Sequence, residues 1–469
     1  MPPSPAMISS PFLPLLFLLL AACTPVTRPV QVDLLIVKGT VFTGEDTPPQ
    51  ILDIGIRGDT IAFVGTDGGG PLRTAEALAF FDAQGVGTNV ALFAGHGSIR
   101  GEVLGMAARA PNAAELERMK QWVRTAMEAG ALGLSTGLYY APGSFAETEE
   151  VIELAKVAAQ YGGIYESHIR DESSYTVGLI GAVEEVLRIG REAQIPVHIA
   201  HIKALGVDVW GKSEGVIAQI ETAQAEGIRV TADQYPYRAS GTGIAAALVP
   251  RWVMEDSREA QRQRLTDPKL LPRIREEMQE NLRKRGGPES MLITGAGDPA
   301  LPGKHLGEVA AAWQLNPIEA AIRITLAGGA SVASFNMQES DITRFMQQPW
   351  VMTCSDGSDG HPRKYGTYPQ KFQQYVRAAS VISPETFVHR SSRLVAETFG
   401  IARRGSLKAG FFADVIVFDP GQFRANATFE APERLASGMK HVFVNGKQAV
   451  TDGAFTGVLA GKALRREPM

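Results

Sequence analysis

Short apolar runs that end in polar residues alternate with helical segments through the middle of this chain. Six of these runs are predicted to be buried strands: GTNVALFAGH, GIYESHI, IPVHIAHI, IRVTADQ, SMLITGA and WVMTCSD. Helices are predicted between them, over 148–160, 180–192, 213–225, 316–326 and 384–399. Alternating strands and helices are typical of a parallel sheet covered by helices. The sequence therefore predicts an α/β fold with a parallel core.

One predicted helix has clear signals at both ends. Asn112 followed by Glu115 has the spacing of a capping box, apolar residues follow at helical spacing, and Gly130 provides the stop. Further along, the segment 254–286 is rich in charge and helical in pattern. We expect this segment to be a helical insertion in the core.

Both ends of the folded region have a different pattern. The runs VDLLIVKGTVF and ILDIGIRGDTIAFVG near the start, and FADVIVFD and HVFVNGKQAV near the end, alternate apolar and polar residues between turn signals. This pattern predicts short antiparallel strands. We assign residues 24–65 and 405–469 to a small β-domain, and residues 66–404 to the α/β domain.

The first 23 residues have the features of an export signal. The apolar run over positions 11–22 is too short to span a bilayer and has the size of a signal-peptide core. It ends in LAAC, which resembles the bacterial lipobox and predicts lipid attachment at Cys23. Thr24 after the cysteine favours the outer membrane. Residues 1–10 contain no Lys or Arg, so a misassigned start codon and a cytoplasmic protein remain the alternative.

Charge and cysteine content exclude two other classes. The net charge is −4 and no block of like charges occurs, so we expect no nucleic-acid partner. Cys23 and Cys354 are the only cysteines, so a disulfide framework does not hold the chain together.

Three predicted strand ends carry side chains that suit a metal. They are His168 in YESHIRDE, His201 in HIAHIK and Asp356 in TCSDG. The carboxyl ends of parallel strands form the active face of a barrel, and Zn²⁺ takes nitrogen and oxygen ligands. Alternation along HIAHIK places His198 and His201 on opposite faces, and His201 is nearer the strand end. The sequence therefore predicts a zinc site at this face.

A set of motifs resembles a known family. GTDGGGP, VALFAGHGSIR, GALGLSTGLYYAPG, YESHIRDES, HIAHIKALG, ADQYPYRAS, SDGSDGHPRKYGTYP, GSLKAGFFADVIVFDP and HVFVNGKQAV occur in this order. Together they resemble the N-acyl-D-amino-acid deacylases of the amidohydrolase superfamily, from about residue 31 to the end. The resemblance implies a metal-dependent-hydrolase (β/α) barrel and a small β-sandwich built from both chain ends. It also implies hydrolysis of a small-molecule substrate, an N-acyl-D-amino acid, to a carboxylate and a free D-amino acid.

The resemblance implies roles in metal binding and catalysis for four residues. His168 and His201 match ligands of the tightly bound zinc, and Asp67 lies where relatives carry a bridging cysteine or aspartate. Asp356 matches the catalytic aspartate that moves a proton from the attacking water to the leaving amine. Zinc lowers the pKa of water and polarises a carbonyl, while a carboxylate acts as base and then acid.

The resemblance also implies a binding site for the substrate carboxylate. Lys203, Tyr237 and Arg363 match the basic and phenolic groups that hold it, with Tyr235 as the alternative to Tyr237.

The chain departs from the family pattern in one respect. It contains no His-x-His triplet, and IAFVG runs directly into TDGGGP. This predicts an internal deletion of strand one, the helix after it and most of strand two, and hence an incomplete barrel, one zinc and weak turnover. A non-catalytic lipoprotein relative with a partial metal site remains an alternative. A cyclic-amide hydrolase of the hydantoinase or dihydroorotase type is disfavoured, because no lysine lies at a suitable early strand end.

Overall fold

The computed structural model describes residues 34–41, 50–57 and 60–65 as strands, and residues 71–466 in full. The strands are β1 (Leu34–Val41), β2 (Gln50–Arg57), β3 (Thr60–Gly65), β4 (Ala94–Gly95), β5 (Gly133–Gly137), β6 (Ile164–His168), β7 (Val197–Ile199), β8 (Val230–Gln234), β9 (Ala239–Gly243), β10 (Met291–Ala296), β11 (Ala330–Phe335), β12 (Val351–Thr353), β13 (Val415–Phe418), β14 (Met439–Val444), β15 (Lys447–Thr451) and β16 (Ala454–Phe455). The helices are α1 (Thr74–Gln84), α2 (His96–Leu104), α3 (Ala113–Glu128), α4 (Thr148–Gln160), α5 (Gly178–Ala193), α6 (Ser213–Ala225), α7 (Ile244–Leu248), α8 (Arg258–Arg264), α9 (Leu271–Lys284), α10 (Leu306–Trp313), α11 (Pro317–Leu326), α12 (Glu339–Gln347), α13 (Arg363–Lys371), α14 (Pro384–Arg390) and α15 (Arg393–Thr398).

A six-stranded parallel sheet forms the centre of the fold. Its strands lie in the order β12-β8-β7-β6-β5-β4, and every neighbouring pair is parallel. Within the described residues no strand joins the edges at β4 and β12, so these six strands form an open sheet. The α/β class with a parallel core is confirmed. The parallel direction brings the carboxyl ends of all six strands to one edge.

Local sequence signals account for the helices around this sheet. The Asn112 side chain accepts a hydrogen bond from the Glu115 backbone N–H over 2.9 Å, and the Glu115 carboxylate accepts one from the Asn112 N–H over 2.8 Å. This reciprocal capping box starts α3, as predicted. The predicted bounds of α4 and α6 match the structure. The charged segment 254–286 contains α8 and α9.

Three sequence expectations need correction. SMLITGA was expected in the parallel core, but β10 pairs antiparallel with β11, which pairs antiparallel with β9 in a separate sheet. An apolar run shows that a strand is buried but not which strand it pairs with. The helix expected over 384–399 is broken into α14 and α15 around Ser391 and Ser392. Only two residues of GTNVALFAGH form a strand, β4.

The predicted antiparallel strands are present at both chain ends. β1, β2 and β3 form one sheet, and β13 to β16 form another. Their union in one β-sandwich stays a prediction, as do the domain boundaries. In the region that the structure covers, no helix is long and apolar enough to cross a membrane. Cys23 and Asp67 lie outside the described residues.

Candidate active site

Four strand ends bring side chains to one cavity. His168 is the last residue of β6, His201 follows β7, Tyr235 follows β8 directly, and Asp356 follows β12. The cavity measures about 430 Å³ when the space at its open mouth is included. It is lined by Tyr139, Tyr140, His168, Glu172, Tyr175, His201, Lys203, Leu205, Tyr235, Ser240, Gly241, Thr242, Arg285, Asp356 and Arg363.

The two predicted zinc histidines face each other across neighbouring strand ends. Nδ1 of His168 lies 2.8 Å from Nε2 of His201, and both side chains are buried. The backbone N–H of His201 donates to the Asp233 carboxylate, which also lies 3.3 Å from Nε2 of His198. His198 does not line the cavity. The structure therefore brings His168 and His201 together and leaves His198 to hold Asp233.

Glu172 is a site residue that sequence reasoning missed. Its Oε1 lies 3.1 Å from Nδ1 of His201 and 2.5 Å from Nζ of Lys203, and its Oε2 lies 3.9 Å from Nε2 of His168. Burial raises the pKa of Glu172, but Lys203 and the two histidines outweigh burial, so the pKa lies well below its usual value. Its signal was its position four residues after His168 in YESHIRDE.

The donor set fits a zinc ion. Zn–N bonds of about 2.0–2.1 Å in a tetrahedral site place two ligand nitrogens roughly 3.3 Å apart, so the 2.8 Å pair needs only a small opening. One ligand atom each from His168, Glu172 and His201 lie within 4.8 Å of one another. For Nε2 of His201 to offer its lone pair to the metal, Nδ1 must carry the proton and donate to Glu172, and the Lys203 ammonium must donate to Glu172 rather than to Nδ1. This is the carboxylate–histidine arrangement common at zinc sites.

The environment of His201 also contains opposing charges. Burial and the Lys203 ammonium, whose Nζ lies 2.7 Å from Nδ1 of His201, lower the pKa of His201. The carboxylates of Asp356 and Glu172 outweigh them, so the pKa lies above its usual value. The Glu172 carboxylate therefore interacts with both the His201 imidazole and the Lys203 ammonium.

Asp356 is held by an arginine at the opposite side of the cavity. Its Oδ2 lies 2.6 Å from Nη1 of Arg363, whose Nη2 donates to Ser358 over 3.1 Å. The Arg363 guanidinium also lies over the Tyr235 ring, 4.5 Å from its centroid. Both Arg363 and Lys203 are thus already paired with carboxylates in this structure.

Tyr235, rather than Tyr237, lines the cavity. The Tyr237 ring packs edge-on against His361, with centroids 5.4 Å apart. Burial raises the pKa of Tyr235 well above its usual value, against the effect of Arg363, so its phenol stays protonated and can donate. Within the described residues its hydroxyl has no hydrogen-bond partner.

No protein-family model matches the chain, but similar proteins are known. The chain is 33% identical over 423 residues to D-aminoacylase of Alcaligenes xylosoxydans xylosoxydans. This alignment covers 89% of this chain and 77% of that protein. The chain is 34% identical over 416 residues to N-acyl-D-glutamate deacylase of the same organism, with 87% and 77% covered.

Solved structures show the same similarity. The crystal structure of D-aminoacylase, which defines a novel subset of amidohydrolases, superimposes with a TM-score of 0.71 at 28% identity. The superposition covers 93% of this chain and 100% of that one. N-acyl-D-glutamate deacylase of Bordetella bronchiseptica, complexed with zinc and a phosphonate inhibitor, gives 0.71 at 27% identity with the same coverage. A further D-aminoacylase structure has a TM-score of 0.71 at 28% identity and covers 93% of this chain and 100% of that one. It concerns a binuclear metal centre with one-metal activation and second-metal attenuation.

Proposed function

This chain belongs to the D-aminoacylase family of zinc-dependent amidohydrolases, and we propose that it hydrolyses N-acyl-D-amino acids at one zinc held by His168 and His201. The products are a carboxylate and a free D-amino acid. The observation that carries this proposal is the facing pair of histidine nitrogens, 2.8 Å apart, in the cavity that Asp356 also lines. Asp67 is proposed as a third ligand, and Glu172 orients His201 from behind.

Asp356 is the group that moves the proton. When bound, Zn²⁺ lowers the pKa of a coordinated water toward about 7 and polarises the acyl carbonyl. Asp356 accepts the proton of the attacking water and then gives it to the leaving nitrogen. Arg363 holds one of its two carboxylate oxygens in place.

We propose that the substrate carboxylate binds between Lys203, beside His201 and Glu172, and Arg363, beside Asp356. Lys203, Arg363 and the Tyr235 hydroxyl supply the charge and the donor. We propose Tyr235 in the role that the resemblance gave to Tyr237, because Tyr235 lines the cavity and Tyr237 does not.

One metal is sufficient in this proposal. The D-aminoacylase relative shows one-metal activation and second-metal attenuation at its binuclear centre. The missing His-x-His is therefore no reason in itself for weak turnover, and we propose turnover by the chain as it stands. The internal deletion remains a prediction.

Metal analysis tests the site. We expect about one zinc per chain, and none after His168→Ala or His201→Ala, because too few ligands remain. Glu172→Gln should weaken zinc binding by about 10–100-fold, since it removes the carboxylate that orients His201. The matched control is Glu150→Gln, a buried carboxylate bonded to His96 outside the cavity, which should leave zinc affinity unchanged. Two tightly bound zincs per chain, or unchanged binding in the histidine variants, would contradict the proposal.

We also propose that the protein is exported and anchored by lipid on Cys23, with the outer membrane as its site. The LAAC sequence at the end of a signal-like apolar run supports this. Cells grown with a fatty-acid analogue should label the wild type and not Cys23→Ser. Equal labelling of both, or recovery of the full-length chain from the cytoplasm, would favour the misassigned start codon instead.

A further inference from the structure

Arg285 is a buried cation in the cavity wall. It follows α9 directly, its side chain is 1% exposed, and it lines the cavity. Its Nε donates to the Ala247 carbonyl over 3.2 Å, and its Nη2 donates to the Tyr139 hydroxyl over 3.1 Å. Both partners are neutral. No carboxylate of residues 71–466 lies within 4.0 Å of its guanidinium.

The other cations of the cavity are each paired with an acid. Lys203 lies 2.5 Å from Glu172, and Arg363 lies 2.6 Å from Asp356. Besides two histidines, the described cavity wall therefore carries one lysine, two arginines and two carboxylates, and Arg285 is the cation left without a carboxylate. An arginine stays charged in proteins, and a buried charge without a counter-charge is costly.

In the part of the chain that the structure describes, the surroundings of the Arg285 guanidinium supply no compensating negative charge. Its neighbours include the Tyr139 hydroxyl and the face of the Tyr175 ring, whose centroid lies 5.8 Å away. A buried cation among neutral groups favours an anion over a neutral ligand. The α-carboxylate of the substrate is already accounted for by Lys203, Arg363 and Tyr235.

We propose that Arg285 forms a subsite for a second carboxylate of the substrate, so that the enzyme prefers dianionic N-acyl-D-amino acids. This inference rests on the proposed function. The second carboxylate has two chemical sources: the side chain of the D-amino acid, as in N-acetyl-D-glutamate, or the acyl group, as in N-succinyl-D-methionine. Arg285 would bind either by paired N–H donors, the geometry that suits a guanidinium and a carboxylate.

The test compares three substrates on the zinc-loaded full chain: N-acetyl-D-glutamate, N-succinyl-D-methionine and N-acetyl-D-methionine. We expect kcat/KM for one of the two dianions to exceed that for N-acetyl-D-methionine by at least about tenfold, the scale of one hydrogen-bonded charge pair. The dianion that is preferred identifies the source of the second carboxylate. In Arg285→Met the ratio should fall at least about tenfold, and Arg285→Lys should retain part of it.

Arg251→Met is the matched control. Arg251 lies over the Tyr139 ring, 4.0 Å from its centroid, without lining the cavity. The Arg251→Met variant should keep the wild-type ratio of kcat/KM for the preferred dianion to kcat/KM for N-acetyl-D-methionine. This result separates loss of the subsite from disturbance of Tyr139. Equal kcat/KM for all three substrates, or an unchanged ratio in Arg285→Met, overturns the inference and leaves the deacylase function intact.

A binding measurement keeps the two proposals distinguishable. If no substrate is turned over, the proposed function fails, and calorimetric titration with N-acetyl-D-glutamate, N-succinyl-D-methionine and N-acetyl-D-methionine still decides the subsite. Tighter binding of a dianion that depends on Arg285 supports the subsite, and equal affinities overturn it.

Discussion

His201 and Asp356 both hold a backbone conformation that residues other than glycine rarely adopt. Their φ angles are 39° and 43°. Such a conformation persists only where the surroundings impose it, and it recurs at functional sites. Here the Asp233 carboxylate fixes the His201 backbone, and Arg363 fixes the Asp356 side chain. The loops after β7 and β12 thus aim a ligand and a proton carrier into one cavity.

The two tyrosines of ADQYPYR give a direct comparison. Tyr235→Phe should raise KM for an N-acyl-D-amino acid by about tenfold, because it removes a donor to the substrate carboxylate. Tyr237→Phe should change KM by less than about twofold, since its ring packs on His361 outside the cavity. Steady-state kinetics on both variants checks this. The reverse ranking would return the role to Tyr237.

Lys371 makes stability depend on pH. Its side chain is 0% exposed, its Nζ donates to the Thr353 hydroxyl over 3.0 Å, and burial lowers its pKa to about 7. The unfolded chain, with a lysine pKa of about 10.4, binds more protons between these values, so stability is lowest below pH 7 and rises toward pH 10.

Lys371→Met should remove this contribution to the pH dependence. At pH 7 it should raise the free energy of unfolding by on the order of 2 kcal/mol, after the lost hydrogen bond is set against the relieved cost of burying the charge. Denaturant titrations at pH 7 and pH 9 measure both effects. The exposed Lys447→Met should change neither. A destabilised Lys371→Met with the wild-type pH slope would contradict the assignment.

At the scale of elements, local sequence signals predict the helix bounds correctly, whereas the pairing of distant strands is not predicted by them. Caps and helical spacing lie within one segment, so the bounds of α4 and α6 followed from the sequence. The partner of β10 depends on distant residues of β11, and no local pattern encodes it. Alternation along HIAHIK separated His198 from His201. Tyr235 and Tyr237 are two residues apart, so alternation places them on the same face and cannot distinguish them; only the course of the chain beyond the end of β8 does.

The capping box of α3 gives a prediction at this scale. Asn112→Ala should lower the free energy of unfolding by about 1 kcal/mol, because it leaves the Glu115 N–H without its acceptor. Asn112→Asp keeps an acceptor and should stay close to wild type. Denaturant unfolding measures both, and equal losses in the two variants would show that the cap is not the cause.

At the scale of the whole molecule, the open parallel sheet still assembles the cavity. Four of its six strands, β6, β7, β8 and β12, deliver the residues proposed for metal, proton transfer and substrate. Residues near the end of the described chain contact the segment before β4: Gly461 forms a β-bridge with Val86, and Ala463 forms one with Val90. The sequence motifs correctly predicted the family and the fold class. Glu172 had a sequence signal, its position four residues after His168, but its contacts with His201 and Lys203 and the place of Arg285 in the cavity wall depend on how separate loops pack together.

The most direct test of the account is turnover at a fixed metal content. The protein is loaded with one zinc per chain, and hydrolysis of N-acetyl-D-amino acids is followed for the wild type and for Asp356→Asn. The account predicts turnover at one zinc per chain, with kcat lower by about 10²–10⁴-fold in Asp356→Asn, the usual contribution of a general acid–base group. Absence of turnover at this loading, or equal rates in the two proteins, would contradict it.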